Sequence, residues 1–199
     1  MGRYPRSFFE RYTPSVAKDL LGCKLVRVIE NRRLAGIVVE TEAYRGRRDP
    51  ASHAYRGRTR RTDVMFEEAG HAYVYFVYGN NWCLNITTEP KGVPGAVLIR
   101  AIAPVEGVGA MVKNRGPRCG VHIADGPGRL TKALAIDGHF NGEDLVASKV
   151  LFMERGTRPT RIERSTRVGV SRGGSFLWRF FIPDSKFVSR GKFDTTQNP

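Results

Sequence analysis

The chain is short of cysteine, short of acid and without a long apolar stretch. Its three cysteines, Cys23, Cys83 and Cys119, form neither a CxxC pair nor the even-numbered framework of a disulfide-stapled secreted domain, so a reducing compartment fits best. No apolar run approaches the roughly 20 residues of a membrane span, and Gly2-Arg3-Tyr4-Pro5-Arg6 lacks the basic-then-apolar order of a signal peptide. Gly2 alone would permit N-myristoylation, a reading that Pro5 and Arg6 do little to support. These absences set the expectation of a soluble intracellular protein with no membrane partner. Acidic residues number 19 against 33 basic ones, a formal net charge of +14, and a polyanion is therefore the first partner to consider. No internal repeat is present. With 199 residues, 41% of them hydrophobic, the chain is expected to fold as one domain over 1–199, its polar end fraying after Phe193.

Thr13-Pro14 reads as a helix start, with Val16, Leu20 and Leu21 as its apolar side and Gly22 as its stop. Lys24 to Ile29 and Leu34 to Tyr44 read as a strand pair joined by Glu30-Asn31-Arg32-Arg33. Arg45 to Thr62 is basic, polar and glycine-containing, a long surface loop of the kind that carries function. His71 to Tyr78, Trp82 to Thr88 and Ala96 to Ile102 are aromatic and β-branched runs, and a mostly antiparallel sheet is the simplest arrangement for them. Short helices are expected at Val105–Val112 and Leu130–Ile136, and strand patches at Val150–Met153 and Arg179–Ile182.

In Val39-Glu40-Thr41-Glu42-Ala43-Tyr44, strand alternation puts Glu40, Glu42 and Tyr44 on one face. Two carboxylates on one face can share a groove and tune each other's titration, or simply decorate a surface strand. Tyr73, Tyr75 and Tyr78 supply aromatic faces for stacking or for an ordinary core. The basic loop contains Arg45-Gly46-Arg47-Arg48 and Arg56-Gly57-Arg58-Thr59-Arg60-Arg61; such arginines can hold phosphates while aromatic rings take an exposed base, or form a solvated face. His53 lies between them, placed to stack on a base or to be satisfied locally. Asn85 can test a ligand's edge or satisfy backbone groups. Arg100 sits inside the apolar run Val97-Leu98-Ile99-Arg100-Ala101 and, if buried, requires an anionic or hydrogen-bonding partner. Cys119 and His122 have a loose metal-like spacing without a supporting ligand set. Gly126-Pro127-Gly128-Arg129-Leu130 can open a helix toward phosphate with Arg129 and Lys132 nearby, but it lacks the Walker pattern.

Taken together and in order, Val38–Tyr44, His53, Tyr73–Gly79, Cys83-Leu84-Asn85-Ile86, Val97–Ala101 and Gly126–Leu130 resemble the alkyladenine (3-methyladenine) DNA glycosylase family, the type without a helix-hairpin-helix, over about Pro14 to Ile182. The resemblance implies an α+β fold, a single compact domain around a curved, mostly antiparallel sheet with short peripheral helices. It implies a monofunctional enzyme that flips alkylated or deaminated purines out of damaged double-stranded DNA and hydrolyses the N-glycosidic bond. No metal or other cofactor is implied, and a monomer is expected, in the cytoplasm or nucleoid of a prokaryote or the nucleus of a eukaryote.

By the same resemblance Glu42 is the base that activates water and Arg100 its site-organising partner. Tyr44, His53 and Tyr75 surround the flipped base, Asn85 discriminates against guanine through its exocyclic amino group, and Tyr78 enters the gap left in the duplex. Glu40 is assigned to support. Arg45, Arg58, Arg60, Arg129 and Lys132 are the candidate phosphate contacts. Two positions depart from the family pattern: Asn80 stands where the vertebrate form has methionine, and Arg45 replaces an apolar residue. Both bear on lesion range. A non-catalytic nucleic-acid-binding module, stacking bases on Tyr75 and Tyr78 among the arginines, is the alternative, and a plain structural domain the third reading.

Overall fold

Alternating β-branched residues from Lys24 to Tyr44 make the central hairpin of the computed structural model, which describes residues 2–77, 81–120 and 122–189. Its strands are β1 (Lys24–Ile29) and β2 (Arg32–Tyr44). Glu30 and Asn31 turn the chain with φ of 47° and 63°, the left-handed pair whose twist matches the flanking strands. Two residues thus suffice where the sequence suggested a four-residue connection.

Six further strands follow: β3 (Ala72–Val77), β4 (Asn81–Thr88), β5 (Gly95–Glu106), β6 (Leu151–Glu154), β7 (Glu163–Ser165) and β8 (Arg179–Phe181). The sheet runs β3-β4-β5-β2-β1-β6, with β8 bonded to both β2 and β7, and every strand pair is antiparallel. One edge of β2 pairs with β1 through residues 32–37 and then with β8 through Glu40–Glu42, while β5 runs along the other edge. Between these partners the register of β2 against β5 slips at Val38–Glu40 and again at Glu40–Thr41. Bulges of this kind bend a strand and raise its twist, and the sheet curls into a half-barrel in a single α+β domain.

The helices are α1 (Arg6–Phe9), α2 (Thr13–Asp19), α3 (Val108–Arg115) and α4 (Pro127–Ala133). Two of them correct the sequence reading. The helix expected at Val105–Val112 begins only after Gly107, because Pro104 and Glu106 are held in β5 by pairing with Gly36 and Ala35 of β2. That expected at Leu130–Ile136 starts at Pro127, where a missing N–H costs nothing in the first turn, and ends before Ala135, whose φ is 49°. The one-turn α1 and the short β7 carried no periodicity to announce them. The expected fraying after Phe193 lies outside the described residues.

Val16 and Ala17 of α2 and Leu20 just after it, Met111 of α3 and Leu130 and Ala133 of α4 pack with Leu25, Leu34, Val38, Ile99 and Ile102 of the sheet in one buried core. Full burial of each large side chain contributes about 1.5–3 kcal/mol. A second cluster, Ala54, Met65, Phe66, Tyr73 and Ala96, fastens the Arg45–Thr62 loop to the sheet. Among the described residues no helix is long and apolar enough to cross a membrane.

The chain leaving β6 passes Gly22 so closely that a Cβ on Gly156 would fall inside the Gly22 carbonyl oxygen. Gly156→Ala is therefore expected to destabilise the fold by about 1–3 kcal/mol or more, read as a lowered melting temperature; an unchanged one would contradict this packing.

Candidate active site

The alternation of β2 turns Thr41 to one side, where its hydroxyl donates to the Ala17 carbonyl of α2 at 2.8 Å. Glu40, Glu42 and Tyr44 point to the other. Both carboxylates are fully buried, a placement that costs several kcal/mol per ion unless partners are supplied. Glu40 Oε1 accepts from Arg100 Nε at 2.8 Å, Arg179 Nε at 2.7 Å and Ser189 Oγ at 2.8 Å, and its Oε2 accepts from the Ser189 N–H at 2.7 Å. Burial pushes the Glu40 carboxyl up, but Arg100 and Arg179 prevail and hold it below the usual carboxylate range. Glu42 Oε1 accepts from the Val168 N–H and Oε2 from the Tyr44 hydroxyl, each at 2.7 Å, with Arg100 Nη1 at 3.3 Å from Oε2.

Arg100 thus joins both acids. Burial presses its guanidinium toward deprotonation, and the negative charges of Glu42 and Glu40 more than offset that, leaving its pKa raised. Burial and the Glu42 charge push the Tyr44 phenol well above its ordinary value, so Tyr44 is a hydrogen donor at neutral pH. Two carboxylates and two guanidiniums balance inside the sheet. Removing one partner from such a set typically costs about 3–5 kcal/mol, because the other charge is left buried.

Above this set opens a cavity of about 460 Å³, lined by Tyr44, Arg100, His53, Tyr75 and Asn85 among others, within the ~300–1,000 Å³ common for small-molecule sites. On one wall the His53 ring meets Tyr75 edge-on, with centroids 4.6 Å apart, and its Nδ1 lies 2.8 Å from the Tyr73 hydroxyl. Arg61 lies over the Tyr75 ring at 5.0 Å. His53 keeps an exposed edge, but desolvation of its ring beside Tyr73 and Tyr75 and the Arg61 charge push it down to about 4, leaving a neutral imidazole at pH 7. Asn85 lines the cavity and also donates to the Tyr73 carbonyl at 3.0 Å, so ligand-facing and backbone-satisfying placements coincide. Burial pushes the cavity-lining Cys83 thiol up.

Val168–Arg172 also lines the cavity, and a buried ion pair holds this segment. Arg167 donates to Asp49 through Nη1 at 2.5 Å and Nη2 at 2.8 Å, with both side chains wholly buried. Asp49 in turn accepts the N–H groups of Arg45 and Ala51, so the pair ties the loop carrying His53 to the segment carrying Val168. The Arg167 guanidinium lies 4.6 Å from the Tyr44 ring and 5.4 Å from Trp178, backing one of the cavity's aromatic walls.

The structure therefore brings Glu42, Arg100, Tyr44, His53, Tyr75 and Asn85 to one place. Tyr78, assigned to the duplex gap, and neighbouring Asn80 lie outside the described residues. Among the candidate phosphate contacts, Arg60 and Lys132 are exposed. Arg58 is paired with Asp63 and Glu67, and Arg129 with Asp125 at 3.0 Å. Arg45 turns inward: its side chain is 22% exposed, bonds Glu89 at 3.0 Å and stacks on Tyr12, and Glu89 also accepts the Thr13 N–H at the start of α2. His122 Nδ1 lies 2.6 Å from Asp125, and no group of three or more potential metal ligands comes together among the described residues.

Sequence reasoning missed Asp49, Arg167, Val168, Arg179 and Ser189. Arg179 carried the same signal as Arg100, a guanidinium inside an apolar run, Leu177-Trp178-Arg179-Phe180-Phe181. Val168 acts through its backbone N–H, which no residue type announces.

Residues 7–186 match the family model described as methylpurine-DNA glycosylase (MPG). A protein of Carboxydothermus hydrogenoformans is 45% identical over 94% of this chain and 98% of its own. One of Chlorobium phaeobacteroides is 43% identical over 94% and 97%, and one of Methanocella arvoryzae 46% identical over 94% and 95%. All three are provisionally named 3-methyladenine DNA glycosylases.

In a proton NMR titration His53 is expected to titrate near pH 4, below the ordinary 6.5, and Arg61→Ala to raise that midpoint. The unfolded chain binds this proton more tightly than the folded one, so the His53 contribution to stability is constant above about pH 6.5 and falls as the pH drops toward about 4. A midpoint at the ordinary value would contradict the packing of the ring.

Proposed function

The chain belongs to the methylpurine-DNA glycosylase family, and we propose that it hydrolyses methylated purines, 3-methyladenine foremost, from duplex DNA with Glu42 as the water-orienting base. One observation carries the reading: a fully buried carboxylate takes hydrogen bonds from Tyr44 and Val168 and faces Arg100, three residues that themselves line an aromatic-walled cavity. A base stacked in a duplex cannot be enclosed by such a cavity, so it must be extruded at a cost of a few kcal/mol, which damage lowers by weakening pairing and stacking. Stacking on Tyr44, Tyr75 and the neutral His53 favours the extruded base, and a cationic methylpurine gains further from the tyrosine faces. A neutral imidazole adds no repulsion toward that cation. Tyr78 is proposed to fill the gap in the duplex, and Asn85 to reject guanine.

As the glycosidic bond breaks, its electron pair leaves with the purine nitrogen and the sugar gains positive charge. Glu42 stabilises that charge and orients a water whose oxygen bonds to the anomeric carbon, its proton passing to the carboxylate. In the free protein the Tyr44 hydroxyl occupies Glu42 Oε2, so this water enters as that contact opens on base binding. A methylated purine departs neutral and needs little help. Hypoxanthine needs a proton on the leaving base, which makes it the harder substrate.

No lysine lines the cavity among the described residues, which supports water rather than an amine as nucleophile. The basic surface is proposed to hold the phosphates of damaged DNA, with Arg60 and Lys132 free of carboxylate partners among the described residues and Arg58 and Arg129 released from theirs on binding. The family match disfavours the non-catalytic module.

Single-turnover assays on 3-methyladenine, 7-methylguanine and hypoxanthine duplexes test the reading. Wild type should release methylated bases faster than hypoxanthine and leave an abasic site that breaks only on alkaline treatment. Glu42→Gln should fold, bind the duplex and release base at least about 10²-fold more slowly. Excision at the wild-type rate by that variant, or a covalent DNA complex trapped by borohydride, would defeat it.

A further inference from the structure

The Arg100 guanidinium has three nitrogens, and the fold uses each differently. Its Nε donates to Glu40 at 2.8 Å, its Nη2 donates to Ser189 Oγ at 3.2 Å, and its Nη1 lies 3.3 Å from Glu42 Oε2. A planar guanidinium held at one atom can still swing about its stem, whereas one held at two is fixed in plane and roll. Glu40 and Ser189 are the two anchors, and the third position is thereby aimed at Glu42.

Ser189 is suited to anchor rather than to fill space. It is buried at 6% exposure and is 89 residues along the chain from Arg100. Its hydroxyl carries a single hydrogen, given to Glu40 Oε1 at 2.8 Å, and a lone pair that receives Arg100. Its N–H donates to Glu40 Oε2 at 2.7 Å and its carbonyl accepts from Arg179 Nη2 at 3.4 Å, so the backbone is held whatever the hydroxyl does. The segment after β8 thereby reaches the centre of the charge set.

We infer that Ser189 is a positioning residue for base excision: its hydroxyl locks the Arg100 guanidinium so that Nη1 faces the Glu42 carboxylate. The inference rests on the proposed role of Glu42. It assigns the hydroxyl to the chemical step rather than to DNA binding or to folding.

Four variants decide it, each measured for single-turnover release from a 3-methyladenine duplex, for affinity to that duplex and for melting temperature. Ser189→Ala removes the hydroxyl and keeps both backbone bonds, Ser189→Thr restores it, and Ser189→Cys keeps the side-chain shape, slightly enlarged, with a much weaker donor and acceptor. Ser185→Ala removes a hydroxyl from the same segment, one that accepts from the Phe187 N–H at 3.3 Å. Ser189→Ala and Ser189→Cys should release base about tenfold more slowly or worse, with duplex affinity within about twofold of wild type. Ser189→Thr should recover most of the rate, and Ser185→Ala should match wild type.

Release by folded Ser189→Ala and Ser189→Cys at the wild-type rate would overturn the inference, as would a loss explained wholly by weaker binding or by the unfolded fraction. If Ser189→Ala melts below the assay temperature, Ser189→Cys alone decides. Glu42→Gln measured alongside separates the two claims: wild-type release by it defeats the role of Glu42, whereas its inactivity beside fully active Ser189 variants defeats the positioning role alone.

Discussion

Everything at the candidate site depends on placing two carboxylates of one strand in a sheet interior and keeping both charged. Glu40 and Glu42 are buried without exposed surface, and an unpaired charge there would be neutralised or would unfold the strand. Arg100 from β5 lies between them, and Arg179 from β8 completes the set. The division of labour follows from the contacts. Glu40 is saturated by two guanidiniums and both hydrogen-bond donors of Ser189 and offers nothing to a ligand. Glu42 keeps one strong backbone donor, Val168, and meets Tyr44 and Arg100, which both line the cavity. The carboxylate nearest the cavity is therefore the one with partners that a substrate can rearrange.

The handover of β2 from β1 to β8 makes this possible. Were β1 to run on along β2, it and not β8 would lie beside the acids. The bulges at Val38–Thr41 let β8 deliver Arg179 and the chain beyond it. The Asp49–Arg167 pair does the corresponding work at the cavity wall, joining the loop of His53 to the segment of Val168 and backing Tyr44. Rigid supports of this kind hold reacting groups to the sub-ångström placement that catalysis needs.

How much of this the sequence disclosed follows from the range of each interaction. The hairpin of β1 and β2 and the three aromatic strands were legible because their signals, alternation and β-branching, are local. Arg100 stood out as a charge in an apolar run, and the family resemblance pointed to Glu42, Tyr44, His53, Tyr75 and Asn85 before any geometry. The extension of β5 to Glu106 was not legible, since pairing with Ala35 and Gly36 overrides the local preference around Gly107. Ser189 and Asp49 were invisible for a related reason: a serine in a polar segment and an aspartate in a basic loop look like surface residues until the fold brings Glu40 and Arg167 against them. Arg45 shows the converse, a loop arginine with every local mark of a phosphate contact whose guanidinium the fold spends on Glu89 and Tyr12.

The most direct measurement is of charge preference at the sugar. Wild type and Glu42→Gln would be compared for affinity to two duplexes, one carrying a cationic pyrrolidine in place of the damaged nucleotide's sugar and one a neutral tetrahydrofuran of the same shape. A buried carboxylate facing the developing positive charge predicts tighter binding of the cationic duplex by wild type and loss of most of that preference in Glu42→Gln. An equal preference in both proteins would place the charge stabilisation elsewhere and contradict the role given to Glu42.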